Sequence, residues 1–207
     1  MRVKTEAKRD AIVQAAAQVF RELGFEGASM AEIAARVGGS KATLYGYFSS
    51  KEELFVAVTH GTAKAHFAPI FAALVRDVDE DMAHTLQRFG EKFLTLVCSP
   101  ESIQARRAII AEAGRSHIGR QFFEGGPKKG LTELAQFLER QMDKGLLRKA
   151  DPQVAARHLS ALLDAETVTV CLFGLQESLS RKELREATRR ALQAFLGGYA
   201  AAGTTAQ

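Results

Sequence analysis

Tryptophan is absent from this chain of 207 residues, and cysteine, proline and tyrosine are scarce, at two, four and three. Each shortage removes a class of protein. Cys98 and Cys171 lie far apart with no metal-ligand spacing, so neither a disulfide framework nor a metal site is expected. Each reads instead as a small buried apolar residue. With few prolines and almost no strand-like alternation, helical spacing is the dominant pattern. No apolar run approaches the ~20 residues of a membrane helix. The first ten residues are polar and mixed in charge, without the apolar segment of a secretory leader. A cytoplasmic protein with no membrane partner is expected. The chain also lacks HExxH, a phosphate loop, a dinucleotide fingerprint and a nucleophile elbow. Gly38-Gly39-Ser40-Lys41-Ala42-Thr43 has neither the spacing nor the preceding strand of a phosphate loop. No catalytic residue, cofactor or enzymatic activity is expected.

What is present suffices for a packed core. Hydrophobic residues make up 46% and charged residues 25% of the chain, which is ordinary for a globular protein. The net charge of +4 permits a nucleic-acid partner without requiring one.

The apolar stripe Ile12, Ala16, Val19, Phe20 and Leu23 predicts a first helix from about Thr5 to Leu23. Gly24 is placed to end it in the left-handed conformation, and Phe25 follows as a plug into a small core. Ser29 with Glu32 three residues on has capping-box spacing. It predicts a short helix from Met30 to Val37 with Ile33, Ala34 and Val37 inward. Gly38-Gly39 breaks that helix, and Ser40 caps the next, Lys41 to Phe48. Ser50 with Glu53 starts a long helix from Lys51 to about Val75. Further helices are expected near 80–98, 101–114, 116–123, 127–145, 151–175 and 181–199, with a frayed tail from Gly197. The fold class is all-α, with about nine helices.

Two short helices joined by a glycine turn form a helix-turn-helix candidate. A short helix can enter the major groove while the one before it crosses the backbone. Leu44 and Phe48, four apart, bury inward, which leaves Lys41, Ala42, Tyr45 and Gly46 outward. Lys41 can reach a guanine edge or a phosphate, and Ala42 can lie against a thymine methyl. Thr43, Tyr45 and Tyr47 offer hydroxyls to phosphate oxygens. Lys51 stands at a helix start that already favours an anion.

At these residues the sequence is similar to a known family. Ser29 to Phe55, with its Thr-Leu-Tyr-x-Tyr-Phe-x-Ser-Lys-Glu-x-Leu core, resembles the DNA-binding signature of the TetR (tetracycline repressor) family. Ile110 to Gly130, with Ala-Glu-Ala-Gly-Arg and Phe-Phe-Glu-Gly-Gly-Pro, resembles its AefR-like subgroup. The resemblance implies that Lys41, Ala42 and Gly46 face bases. It implies that Thr43, Tyr45, Tyr47 and Lys51 hold phosphates, and Ser29 and Ser40 join the DNA-binding set at their helix starts. Two departures stand out. Ala31 occupies a position where some relatives carry a long polar residue, so base readout rests on Lys41 and its neighbours or on DNA shape. Gly38-Gly39 replaces the more usual Gly-Val turn.

The resemblance further implies a DNA-binding domain at 1–50 and a ligand-binding and dimerisation domain at 51–207. Its homodimer would form through the helices near 151–175 and 181–199. The first of these carries Val154, Leu159, Leu162, Leu163, Val168, Val170, Leu172 and Phe173, more apolar surface than one core-facing stripe requires. Phe67, Phe71, Phe89, Phe93, Phe122, Phe123 and Phe173, with His117 and His158, are candidates to line a small-molecule effector cavity, with plain core as the alternative for each Phe. Asp164 and Glu166 are candidate polar groups of an interface or pocket. The expected function is a repressor that binds a near-palindromic operator on double-stranded DNA as a dimer and is released by a small apolar or amphipathic effector. The alternative is a regulator without such an effector, answering to a protein partner or acting as an activator.

Overall fold

The computed structural model describes residues 5–76 and 81–201. Among them there are eleven α-helices and no strand, only an isolated antiparallel bridge between Leu147 and Ala200. The described residues fall into two compact units, one from Met1–Lys64 and Ala108–Gly125, the other from Ala65–Arg107 and Gly126–Gln207.

In the first unit, α1 (Glu6–Gly27), α2 (Met30–Val37) and α3 (Lys41–Tyr47) lead into α4 (Lys51–Arg76). The hydroxyls at the helix starts each accept from the amide three residues on, which is the serine half of the capping box expected at Ser29 and Ser50. Thr5 Oγ1 accepts from Lys8 N–H, Ser29 Oγ from Glu32 N–H, Ser40 Oγ from Thr43 N–H and Ser50 Oγ from Glu53 N–H. Gly24 at φ +69° and Gly38 at φ +67° take the left-handed backbone that side chains other than glycine resist. Ile12, Ala16, Val19, Phe20 and Phe25 bury from α1, and Phe20, Phe25 and Phe55 pack ring on ring with centroids 4.9–6.1 Å apart. Leu23 departs from the expected stripe. It is 49% exposed, because Phe25, two residues on and past the Gly24 kink, enters the core instead. This unit also holds α7 (Ile118–Gly125). There the His60 imidazole of α4 lies 3.1 Å from the Phe122 carbonyl and stacks on the Phe122 ring, with Gly125 tight beneath it.

The second unit contains α5 (Met82–Val97), α8 (Pro127–Asp143), α9 (Pro152–Ala165), α10 (Val168–Leu172) and α11 (Arg181–Tyr199). The helix α6 (Pro100–Ala113) and α4 each contribute residues to both units. Here α5, α8, α9 and α11 pack together around Leu86, Phe89, Leu94, Leu138, Leu159 and Phe195. Gly90 sets how close α5 comes to α11: a Cβ there would meet Thr188 Cγ2 at 2.5 Å. Burial pushes the Cys98 thiol up to about 12, as befits a small apolar core residue.

Two expectations need correction. The stretch 151–175 is not one helix. It breaks after Ala165, where Thr167 turns its hydroxyl back onto the Leu163 carbonyl, giving α9 and α10. That division is one reason the described residues hold eleven helices rather than about nine. Part of the apolar surplus of this stretch faces outward in the single chain, with Val154 40% and Phe173 78% exposed. The chain from Gly197 does not fray at once. The helix α11 continues to Tyr199, which is buried, stacks on Phe195 and meets His158 Nδ1 through its hydroxyl at 2.7 Å. The Tyr199 and Gly198 carbonyls accept from Arg148 N–H and Nε–H. The remainder of that tail, 202–207, lies outside the described residues.

Candidate nucleic-acid interface

The turn between α2 and α3 is closed by backbone alone. Gly38 N–H donates to Ala35 O and Gly39 N–H to Ala34 O, which satisfies the last carbonyls of α2. Ser40 then caps α3, and its hydroxyl also meets Thr43 Oγ1 at 2.9 Å. With Leu44 and Phe48 each 2% exposed, the rotation of α3 about its axis is fixed. Arg9 lies over the outer side of the Phe48 ring, 5.2 Å from its centroid.

The opposite face of α3 is therefore free. Lys41, Ala42, Tyr45 and Gly46 are exposed together, with Thr43 and Tyr47 half-buried beside them. A Cβ added at Gly46 would meet nothing within 4 Å, so no packing inside the protein requires glycine there. The Tyr47 hydroxyl accepts from Thr5 N–H at 3.1 Å and keeps its own proton available for an external acceptor. Ser29 is exposed at the start of α2, one residue before buried Met30. Ala31 and Glu32 are exposed on the same helix.

Lys51 is placed differently from the other candidates. Its Nζ donates to the Phe25 carbonyl at 2.8 Å and the Ala28 carbonyl at 3.2 Å, and it sits 4.4 Å above the Phe25 ring. Two of its three N–H groups thus tie the start of α4 to the α1–α2 connector. Sequence reasoning missed this, because the partners are backbone atoms more than twenty residues away. It also missed the Glu53 carboxylate, which accepts from Ser49 N–H and Ser49 Oγ–H rather than completing a box on Ser50. Arg36, paired with Glu22 at 2.6 Å, was likewise unforeseen. The only local signal for the lysine was its position beside the Ser50 cap.

The effector candidates do not form one cluster. Phe67, Phe71, Phe89 and Phe93 come together in the second unit, with adjoining ring centroids 5.3–6.5 Å apart. Phe122 packs on His60 in the first unit, where His117 and Phe123 are exposed. His158 is bonded to Tyr199, and Phe173 stands in the open. Asp164 has an Oδ1 that is buried with no hydrogen-bond partner, and burial raises its pKa against the counteracting charge of Arg106. Glu166 is held ionised by a forked pair with Arg190.

Residues 12–58 match the family model for the DNA-binding region of bacterial regulatory proteins of the tetR family, and residues 84–201 match that for the C-terminal domain of AefR-like transcriptional repressors. The HTH-type transcriptional regulator RutR of Escherichia coli K12 is 31% identical over 183 residues, which is 87% of this chain and 82% of RutR. A putative TetR-family regulator from Mesorhizobium loti superposes with a TM-score of 0.83 at 31% identity, covering 95% of this chain and 100% of that one. The flavonoid-responsive regulator FrrA superposes with a TM-score of 0.70 at 30% identity, over 95% and 98% of the two chains. With both halves matched and a capped reading helix presenting one free face, the chain belongs to the TetR family of DNA-binding transcriptional regulators.

Proposed function

We propose that this regulator is a repressor that binds a near-palindromic operator as a homodimer and leaves it when a small apolar or amphipathic effector binds. The observation that carries the reading is the free face of α3, where Lys41, Ala42, Tyr45 and Gly46 are exposed together while Leu44 and Phe48 lock the helix from behind. A seven-residue helix so fixed suits a major groove. Lys41 and Ala42 read base edges, with Gly46 allowing close approach. Thr43, Tyr45, Tyr47, Ser29, Ser40 and the first amides of α4 take phosphate oxygens. Lys51 keeps one N–H for a phosphate while its other two hold the reader together.

In functional terms, residues 1–50 are the reader and 51–207 the effector and dimer domain, and α4 carries the connection. The dimer forms through α9 and α11, so that two readers meet two half-sites. The effector binds a state in which the Phe67, Phe71, Phe89 and Phe93 rings part, and its preference for that state supplies the coupling. FrrA, by its name flavonoid-responsive, supports a ligand of this size and character. Such a protein works in the cytoplasm, where its DNA is.

Selection of genomic fragments by the purified full-length chain at stated salt tests this. A recovered near-palindrome is expected, and no preferred sequence would overturn the reading. With that operator in hand, Lys41→Ala should weaken specific binding more than non-specific binding, by roughly 1–3 kcal/mol of discrimination. Equal losses would put Lys41 on phosphate.

A further inference from the structure

Phe173 and Leu175 are each 78% exposed, more than any other large apolar side chain among the described residues. They do not hang on a slack loop. Phe173 N–H donates to Thr169 O, Gly174 N–H to Cys171 O and Leu175 N–H to Val170 O, with Gly174 at φ +71° making the reversal. Arg107 donates from Nε to Leu172 O at 2.9 Å and from Nη2 to Cys171 O at 2.7 Å. Val168 and Cys171 anchor the base in the core. The result is an apolar knob on a hydrogen-bonded pedestal, and a monomer gains nothing by holding two such side chains in water.

The same unit carries a matching recess. Between α9 and α11 an open groove of about 390 Å³ is lined by Leu162, Phe195, Tyr199, Ala161, Ala194 and Gly198, with His158 at its edge. The two helices are antiparallel, since Glu166 pairs with Arg190 while His158 meets Tyr199. The groove is therefore towards one end of the pair, and the knob, carried by α10, follows the other end of α9.

We propose that the Phe173–Leu175 knob of one copy seats on the α9–α11 groove of a second copy of this chain. The proposal rests on the dimer reading above and adds the element that completes it. Three observations favour a second copy. The knob is continuous with α9 and α11, the pair assigned to the dimer. A two-fold axis perpendicular to that pair exchanges its ends, so each knob meets the partner's groove and the contact is made twice. The area also requires it. The outward residues Ala161, Ala165, Ala194, Gly197 and Gly198 let backbones approach but contribute little side-chain surface. A stable interface needs ~800 Å² per partner, and one aromatic side chain buries ~150–250 Å².

The test uses the full-length protein. Sedimentation equilibrium should give a dimer whose dissociation constant rises about tenfold or more in the Phe173→Ser/Leu175→Ser double variant, with helical content unchanged. A benzophenone side chain installed at position 173 should cross-link to a partner peptide containing Ala161 and Leu162, or Ala194 to Tyr199, giving a product of twice the chain mass. A double variant that dimerises like the parent, or a benzophenone variant that cross-links only within its own chain, overturns the knob and leaves the α9–α11 dimer standing. A parent chain that stays monomeric at all concentrations overturns both.

Discussion

The unit that carries the reading helix and the unit that carries α9 and α11 differ in the balance they strike between local caps and side-chain packing. In the first, serine hydroxyls at 29, 40 and 50 start successive helices, glycines at 24 and 38 kink one and end another, and a lysine clamps the carbonyls of Phe25 and Ala28. In the second, phenylalanine rings pack edge-on and tilted between α4 and α5, and close helix contact depends on Gly90. Caps and left-handed glycines act over three or four residues, so they fix the path of a small domain that has little core of its own. Ring packing acts between distant segments and tolerates exchange of one apolar residue for another. The reader is specified position by position, whereas the larger unit is specified as a volume to be filled.

If this contrast holds, the largest loss comes from adding volume in the second unit where two helices touch. Gly90→Val puts side-chain atoms into the space of Thr188 and Leu163, and overpacking of that kind costs roughly 1–3 kcal/mol or more. Urea unfolding of the variant measures it. A change under half a kcal/mol would mean that α5 and α11 separate easily, and that the second unit is not close-packed there.

Next in size is Lys51→Met, which keeps the length of the side chain over Phe25 and deletes both hydrogen bonds to the connector. Bonds from a charged donor contribute ~1.5–3 kcal/mol, and partial exposure places this one at the lower end. Faster amide exchange in α1 and α2 is expected along with weaker DNA binding. Weaker binding with unchanged exchange would place the lysine on phosphate alone and remove it from the scaffold.

These two variants also mark how far the sequence could be read. Much of the reader was legible, including the three serine caps and the burial of Leu44 and Phe48, because each signal lies within a few residues of its effect; at Gly24 the expected helix end is a kink, and α1 runs on to Gly27. The Lys51 clamp was not, because its acceptors are the carbonyls of Phe25 and Ala28 and no side-chain pattern announces a carbonyl. In the larger unit the helices were visible from their spacing, but the break between α9 and α10 falls at Glu166-Thr167, in a stretch whose leucines and valines keep helical spacing on both sides. The frequency of phenylalanine, with two histidines, likewise marked nine positions as one possible pocket. The structure gathers four of them, and contacts between helices decide that, not composition.

A smaller effect of opposite sign separates stability from function in the reader. Glycine inside a helix costs about 0.5–1 kcal/mol relative to alanine, and nothing surrounds Gly46 to justify it. Gly46→Ala should raise the melting temperature slightly and lower operator affinity, because the added methyl holds α3 off the groove. Unchanged affinity would show that the glycine gives no close approach to DNA and would take it off the reading face.

The smallest expected effect carries the reader's chemistry into the larger unit. The α11 start has a full capping box: Ser180 Oγ accepts from Glu183 N–H, and the Glu183 carboxylate accepts from Ser180 N–H and from Gln176 Nε2. Bonding to Ser180, assisted by Gln176, lowers the Glu183 pKa from 4.5 to about 2. A depressed pKa in the folded state means that the ionised form favours folding. The contribution is complete above the unfolded value and fades as the pH falls from about 4.5 towards 2. Glu183→Gln should flatten the slope of stability against pH in that window and lower stability slightly at pH 7, where the contribution is fully present but small because an exposed group of this kind is screened by solvent. A slope identical to the parent's would mean that α11 does not depend on its cap, as a helix held by Leu184, Leu192 and Phe195 in the core can afford. The contrast between a capped reader and a packed body would then be sharper than the hydrogen bonds alone suggest.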